Sequence, residues 1–325
     1  MTPSMVSRAL SPNGKVNETK RQLVLAVAEK YNYVPNRMAS RLSMKAIKIG
    51  VVINTDFKPI FNDMKQGIEA AYRELKDYKI EYELTELENA GDVECVGNAV
   101  RRLYGCDGII ISGLSADSMT DLVKEIYENN KNLVQLQNLN PDTEYLFSSE
   151  HDMKLASNMS AEFLYNCLRF SKRKNVVLFT GNLETNVHKE AKRAFIQAAR
   201  KYGLDVIRCA DMKDSESLLC EMLPEVLGDG KADGIYITSG FSLPLCRYVK
   251  EHKLGIPLVT FDVYRELNEY IKDGTVSATL FQNAALQAKT AFERLVYYII
   301  DNELPPRRVL TSAQLVMKSN LSLFE

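Results

Sequence analysis

The stretch KIGVVIN at residues 48–54 predicts a β-strand that is buried on both faces. Its valines and isoleucines run without polar alternation, which is typical of a parallel sheet covered by helices on both sides. A helical pattern, MKQGIEAAYREL (64–75), follows it, and KIEYELTEL (79–87) is the next predicted strand. This order of strand, helix and strand predicts an α/β fold with right-handed crossovers.

The alternation of strands and helices continues along the chain as two similar series. The first contains the further strand GIIISG, and the second begins after about residue 152 with predicted strands at 175–181, 205–211, 234–240 and 256–262. Two such series predict two lobes, each built on a parallel sheet. Since ligands bind at the carboxyl ends of the strands in such sheets, the expected binding site is the cleft between the lobes.

The first residues, TPSMVSRAL at 2–10, predict a short helix. Thr2 is a good N-cap, and Pro3 suits the first helical position. The N-terminal part of a helix in a helix-turn-helix faces base edges in the major groove, and its small or flexible side chains here are Ser4, Met5, Ser7 and Arg8. A turn follows, before Asn17 caps a second helix. The alternative for residues 2–10 is an ordinary amphipathic helix.

Residues 2–42 resemble the headpiece of the LacI/GalR family of bacterial transcriptional regulators. The family motif T-V-S-R-A-L lies on the first helix with Met5 in place of threonine, and V-x-x-x-T lies at 16–20 with Lys20 in place of threonine. The motif Y-x-P-N-x-x-A-x-x-L lies at 33–42 and is met at all five of its fixed positions. The resemblance implies that this segment binds DNA.

In that family the last motif forms a hinge helix that pairs with its symmetry mate and enters the minor groove. Carried over position by position, Asn36 and Ala39 lie against the groove floor or the backbone, and Leu42 is the wedge inserted between base pairs. Arg41 and Lys45 flank this leucine and suit contact with a phosphate-lined groove. The alternative for Leu42 is a core leucine of a short helix.

The family headpiece also has a helix before the recognition helix, and Met1 stands where the turn between these two helices is expected. We therefore predict two domains. Residues 1–45 form a partial helix-turn-helix headpiece with a hinge helix, and residues 46–325 form an effector-binding and dimerisation domain. The missing helix has two explanations: a start assigned too late, which we favour, or a chain that is crippled for DNA binding.

Residues 46–325 resemble the two-lobed type I periplasmic-binding-protein fold that this family uses as its effector domain. The resemblance implies a ligand site formed by residues that follow the strands. Phe61 matches a family aromatic that can stack on a sugar ring, and Asp152 lies near an acid that accepts ligand hydroxyls. Asp262 matches the family's V-x-x-D, and Gln282 matches the glutamine of its last cleft loop. The alternative for an exposed aspartate is a helix cap.

Two strong sugar-binding groups of the family are missing from this chain. The family arginine falls on Ala191, and the asparagine after the strand GIYITSG falls on Ser239. His188 and Lys189, one turn before Ala191, are candidate substitutes, with a surface histidine as the alternative. We expect a small polar effector, a sugar or a sugar derivative, and a site that has drifted away from small-molecule binding stays an alternative.

The composition indicates in which compartment the protein works and which end of the chain is basic. The chain of 325 residues has 41 Lys and Arg against 42 Asp and Glu, yet residues 8–48 contain only Glu18 and Glu29 as acids, so the DNA-facing end is basic. No apolar run reaches membrane-spanning length and no signal peptide precedes the motif, so we expect a cytoplasmic protein. Six cysteines lie without C-x-x-C or a histidine at metal spacing, which predicts buried free thiols and no metal site.

Three classes of function remain. An enzyme is disfavoured, because no G-x-S-x-G or P-loop motif occurs and the chain has three histidines, so we expect no catalytic residue and no cofactor. We predict a transcriptional repressor whose operator affinity is controlled by a ligand bound between the lobes. A hinge helix that is stable only when paired predicts a homodimer on a palindromic operator. The alternative is a solute-binding protein of the same fold, which would have no use for the hinge motif.

Overall fold

The computed structural model describes residues 2–10, 15–31 and 45–324. The four residues of the predicted hinge contact with DNA lie outside the described residues: Asn36, Ala39, Arg41 and Leu42. The hinge helix therefore stays a prediction from the sequence.

Two short helices precede the main body of the chain. Helix α1 covers Pro3–Leu10 and helix α2 covers Glu18–Lys30, as the sequence predicts. The side chain of Asn17 accepts a backbone hydrogen bond from the first turn of α2 at 3.0 Å, which is the predicted cap. The two helices contact each other, and Arg8 of α1 is exposed. Leu23 of α2 is 56% exposed, so this pair of helices leaves apolar surface uncovered.

Strands alternate with helices from residue 45 to residue 324. The strands are β1 Ile47–Asn54, β2 Ile80–Leu87, β3 Gly108–Ser112, β4 Leu133–Leu136, β5 Phe147–His151, β6 Asn175–Thr180, β7 Asp205–Asp211, β8 Gly234–Ile237, β9 Leu258–Phe261, β10 Ala278–Phe281, β11 Arg308–Thr311 and β12 Gln314–Val316. The helices are α3 Lys58–Glu74, α4 Val93–Arg101, α5 Thr120–Asn129, α6 Met153–Leu168, α7 Asn186–Tyr202, α8 Glu216–Leu227, α9 Leu243–Glu251, α10 Arg265–Lys272 and α11 Ala284–Asp301. Short 3₁₀ turns lie at Lys76–Tyr78, Asp117–Met119 and Leu321–Leu323.

The strands form two six-stranded sheets, one in each lobe. The sheet of lobe 1 has the order β11-β5-β4-β3-β1-β2, and its strands are all parallel. The sheet of lobe 2 has the order β12-β10-β9-β8-β6-β7, in which only β12 runs antiparallel to its neighbour. The predicted two-lobed α/β fold is confirmed. The strand predicted at 234–240 ends at Ile237, since its last residues turn away from the sheet into the cleft.

Helices cover both faces of each sheet. In lobe 1, α3 and α11 share one apolar core with the sheet, and α4 and α5 share the core on the opposite face. In lobe 2, α6 and α7 cover one face and α8, α9 and α10 cover the other. Strand β3 is buried along its whole length, which explains why these strands are continuous apolar runs rather than alternating ones.

Within residues 45–324 the chain passes between the lobes three times. It leaves lobe 1 after His151, returns from lobe 2 after Phe281, and crosses again between Thr311 and Gln314. These crossings place the last residues of β5 and the residues after β10 at the boundary between the lobes. The site described below is built around them.

Candidate functional site

A cavity of about 180 Å³ lies between the lobes, at the carboxyl ends of the strands. Asn54 ends β1, Thr238 follows β8, and both line this cavity. It is the cleft that the strand pattern predicts, because the ends of parallel strands meet at one edge of a sheet. The structure brings together four of the predicted ligand residues along its walls: His188, Ser239, Asp262 and Gln282.

The aromatic side chain that bridges the cleft is Phe57, the residue before the first turn of α3. Its ring lies edge-on to two rings of lobe 2, with centroids 4.8 Å from Phe241 and 5.3 Å from Tyr264. Gly240 makes room for this contact, because a Cβ atom there would lie 2.6 Å from a ring carbon of Phe57. Phe57 thus presents an aromatic surface in the cleft and links the two lobes.

Phe61, the aromatic residue predicted from the sequence, does not line the cleft. It is 8% exposed and belongs to the apolar core of lobe 1, between α3 and the sheet, together with Met64 and Ile68. Because α3 begins at Lys58, Phe61 lies on the helix face that packs on the sheet. The prediction of Phe61 as a cleft residue is wrong, and Phe57 occupies the place expected for it.

A chain of polar side chains from both lobes runs along the floor of the cleft. Asp262 follows β9 with a left-handed backbone (φ +69°), and its Oδ1 atom accepts a hydrogen bond from Gln282 Nε2 at 2.7 Å. Gln137, which follows β4 in lobe 1, places its Nε2 atom 3.4 Å from Gln282 Oε1. Burial raises the pKa of the Asp262 carboxyl to about 7, although the Gln282 hydrogen bond lowers it. This carboxyl group can therefore donate or accept a hydrogen bond near neutral pH.

A second cluster lies on the lobe 2 wall, around Asp214. The Ser239 hydroxyl donates to Asp214 Oδ1 at 2.6 Å, and His188 Nε2 lies 3.3 Å from Asp214 Oδ2. The other ring nitrogen of His188 is 3.0 Å from the Thr238 hydroxyl. Burial opposes ionisation of Asp214, but the His188 ring and the hydrogen bonds from Asn182 and Ser239 lower its pKa to about 2. His188 and Ser239 are thus held in place by a carboxylate that the sequence analysis missed.

His151 is a second residue that the sequence analysis missed. It ends β5 at the boundary between the lobes, is 5% exposed, and has no hydrogen-bond partner at either ring nitrogen. Burial lowers its pKa to about 4, so the ring is neutral at physiological pH. No signal marks this position in the sequence, because the strand FSSEH is polar and lacks the pattern of a buried strand.

Asp152, the next residue, does not line the cleft. Its Oδ1 atom accepts a hydrogen bond from the Leu155 backbone N–H at 2.8 Å, and it is the N-cap of α6. The prediction of a ligand contact at Asp152 is wrong, because its side chain caps the helix instead of lining the cleft. The alternative, a helix cap, describes the residue as it stands.

The position expected for the family arginine does not face the cleft either. Ala191 is fully buried, and its carbonyl oxygen accepts a hydrogen bond from Ser157 of α6 at 3.3 Å. Lys189 instead reaches across to lobe 1, where its Nζ atom lies 2.7 Å from Asp117 Oδ2. Among the described residues no lysine or arginine lines the cleft, so its titratable side chains are acids and histidines. The arrangement suits a neutral ligand rich in hydroxyl groups.

The described parts of the chain include all six cysteines, and the prediction of buried thiols is wrong for the four exposed ones, Cys95, Cys167, Cys209 and Cys220. No helix there has the length and apolar character needed to cross a membrane. No group of three or more His, Cys, Asp or Glu side chains there is arranged to hold a metal ion.

Residues 49–303 match the family of periplasmic binding protein domains. Among solved structures, GanP, a glucose-galactose binding protein from Geobacillus stearothermophilus, is 18% identical with a TM-score of 0.76, over 85% of this chain and 99% of that chain. An ABC transporter solute binding protein from Burkholderia graminis, solved with D-arabinose, is 19% identical with a TM-score of 0.76, over 86% and 97% of the two chains.

A candidate LacI transcriptional regulator from Bacteroides fragilis is similar to the same extent, with 14% identity and a TM-score of 0.72 over 86% of this chain and 100% of that chain. At these identities the likeness shows the fold alone. A search of curated proteins finds no significant match. The family match covers most of the chain but begins after the two N-terminal helices. The chain belongs to the family of periplasmic binding protein domains.

Proposed function

We propose that this protein binds a small polyol, a sugar or a sugar derivative, in the cleft between its lobes. The observation that carries the proposal is the hydrogen-bonded chain of Gln137, Gln282 and Asp262, which combines groups from both lobes beside the Phe57 ring. Amides and a carboxyl can donate to and accept from sugar hydroxyls, and an aromatic ring packs against the C–H face of a sugar. One of the similar structures is named a glucose-galactose binding protein, and another is a solute binding protein solved in complex with D-arabinose.

In this proposal Asp262 is the central ligand contact. It is buried away from water, so a ligand hydroxyl would supply a hydrogen bond that solvent does not provide. Gln282 orients Asp262, while His188 and Ser239 contribute from the same lobe. Phe57 takes the stacking role that the sequence had suggested for Phe61.

A thermal-shift screen with D-glucose, D-galactose, D-arabinose and myo-inositol tests this proposal. We expect at least one to raise the melting temperature of the wild type, and calorimetry with that sugar should give an affinity about 10- to 100-fold weaker for Asp262→Ala. The matched control is Asp152→Ser, which removes a carboxylate that does not line the cleft while keeping a residue able to cap α6. Its affinity should equal that of the wild type. An equal loss in both variants would contradict the role of Asp262.

We further propose that the ligand controls DNA binding by a homodimer. The support is the motif pattern of residues 2–42, together with the helices α1 and α2, which lie outside the domain match at 49–303. Arg8 is exposed on α1, where a base contact would need it. The comparisons favour the alternative, a solute-binding protein, because two of the three structures described above are a glucose-galactose binding protein and an ABC transporter solute binding protein. Both roles use the same cleft.

Selection of DNA from a random pool by the protein separates the two roles. A regulator should enrich a palindrome with half-sites about one helical turn apart, and a bound sugar should change its affinity for that DNA by about 5- to 150-fold. Arg8→Ala should then weaken binding to the selected site more than binding to a scrambled site, whereas Arg41→Ala should weaken both. A protein that binds sugar but enriches no sequence is either the solute-binding alternative or a regulator crippled for DNA binding.

A further inference from the structure

A second cavity, of about 370 Å³, lies against the cleft. Four residues line both cavities: Gln137, His151, Met153 and Val187. Pockets for small molecules usually measure about 300–1,000 Å³, so the 180 Å³ cleft is small by itself and the two cavities together fall within that range. The shared wall makes the second cavity the natural place for the remainder of a ligand whose first part fills the cleft.

The second cavity has a different charge from the cleft. Its charged lining residues are three cations and two carboxylates: Lys189, Arg193, Arg308, Glu150 and Glu190. Arg308 Nε is paired with Glu150 Oε1 at 2.8 Å, and Arg308 Nη2 lies 4.0 Å from Glu190 Oε2. Lys189 is paired with Asp117. Arg193 has no ion-pair partner among the residues that the structure describes. It is therefore the cation that a ligand can use.

His151 supplies an independent indication of a ligand. Buried polar groups in proteins are almost always hydrogen-bonded, yet both ring nitrogens of this side chain lack a partner and it is 5% exposed. A neutral imidazole offers one N–H donor and one nitrogen acceptor. His151 lines both cavities, so a ligand spanning them would pass along this side chain, and a small rotation of the ring would present a nitrogen to it.

The N-terminus of α7 also faces the second cavity. Asn186 and Val187, the first two residues of this 17-residue helix, line the cavity, and Thr185 provides no side-chain cap. The Asn186 N–H donates to the Ser115 carbonyl oxygen at 3.1 Å, so an anion would meet the next N–H groups of the first turn and the positive end of the helix dipole. Arg193 lies two turns further along the same helix.

Resting on the sugar-binding function proposed above, we propose that the ligand is an anionic sugar, a sugar phosphate or a sugar acid. Its ring lies in the cleft against Asp262, and its anionic group lies in the second cavity beside Arg193 and the N-terminus of α7. His151 donates one hydrogen bond to the ligand where it passes from one cavity to the other.

Matched pairs of ligands test this proposal by calorimetry at near-neutral pH. The pairs are D-galactose with D-galacturonate, D-galactose with galactose 6-phosphate, and D-arabinose with arabinose 5-phosphate. In the wild type we expect one anionic member to bind about tenfold or more tightly than its neutral partner, since a charge-assisted hydrogen bond is worth about that factor. The two galactose derivatives distinguish a carboxylate from a phosphate.

Variants assign the preference to the second cavity. Arg193→Gln should reduce the anionic preference to about threefold or less without weakening the neutral sugar. The matched control is Arg200→Gln, an exposed arginine on the same helix that does not line this cavity. His151→Gln should weaken both members of a pair, and His151→Asn serves as a second variant if the first does not fold.

The outcomes separate this inference from the function on which it rests. Tighter binding of neutral sugars, or an anionic preference unchanged by Arg193→Gln, overturns the anion subsite and leaves the sugar-binding cleft standing. Binding of neither member of any pair, together with a failed sugar screen, overturns both. If Arg200→Gln loses the anionic preference as fully as Arg193→Gln does, the subsite is also overturned, because the preference then depends only on the net charge of the helix.

Discussion

The cleft and the second cavity share a wall at His151 but differ in charge. Among the described residues, the cleft contains the carboxyl groups of Asp56, Asp214 and Asp262 and no lysine or arginine, whereas the second cavity contains more cations than carboxylates. One buried group in each region is held away from its charged form by burial: Asp262 in the cleft and His151 at the shared wall. Because one is an acid and the other a base, the two should change the stability of the protein in opposite directions between about pH 4 and 7.

The largest expected effect concerns Asp262. Its pKa is raised from 3.8 to about 7, so the unfolded chain loses this proton at lower pH than the folded protein does. The ionised form therefore opposes folding increasingly from about pH 4 to about pH 7. Asp262→Asn removes this cost, and we expect its free energy of unfolding, measured by urea titration without ligand, to exceed that of the wild type by about 4 kcal/mol above pH 7.

The Asp262→Asn advantage should disappear near pH 4, where the carboxyl is protonated in both states. The same titration repeated across this pH range supplies the check. A difference that stays constant with pH would mean that the asparagine alters packing rather than charge.

The second effect, of opposite sign, concerns His151. Its pKa is lowered from 6.5 to about 4, so the unfolded chain takes up this proton first as the pH falls. The stability that His151 contributes is present above about pH 6.5 and is lost between about pH 6.5 and 4. We expect His151→Gln to lose about 3 kcal/mol less than the wild type over this interval. Equal acid sensitivity of the two proteins would contradict the burial of a neutral ring.

A smaller effect is expected at Asp214, whose pKa is lowered from 3.8 to about 2. Its contribution is present above about pH 3.8 and is lost as the pH falls to about 2. Asp214→Asn should lower the free energy of unfolding at neutral pH by about 1 to 2 kcal/mol, because the carboxylate is partly exposed to solvent. The deficit should close in acid, and Asp121→Asn, at a fully solvated acid, should show no deficit.

The smallest effect distinguishes the roles of Phe57, the residue before α3, and Phe61, which lies within α3. Phe57→Ala should weaken sugar binding by about 1 kcal/mol through loss of ring contact, and it should also lower the stability because the ring packs on Phe241 and Tyr264. Phe61→Leu should leave the affinity unchanged and lower the stability, since it alters the core of lobe 1. Calorimetry and thermal melts of both variants would decide, and loss of affinity in Phe61→Leu alone would restore the original prediction.

The alternation of apolar strands and helices was sufficient to predict the two lobes and the position of the cleft. The resemblance to the family motifs pointed to Asp262 and Gln282, and both line the cleft because residues that follow parallel strands share one edge of the sheet. Phe61 was misplaced by one helical turn, since the start of α3 decides which aromatic residue faces the cleft. Asp152 lies one residue after His151, and only the observed strand end shows which of the two is turned inward.

Sequence by itself determined the elements and their order, because local periodicity and the ends of buried strands are properties of neighbouring residues. Only the tertiary structure decided which side chains meet across the lobes. Gln137 and Gln282 are 145 residues apart, and Phe57 reaches Tyr264 only because the lobes approach each other there. The isolation of His151 is likewise a property of the assembled fold, since an unpaired ring is recognised by the partners that surrounding elements fail to supply.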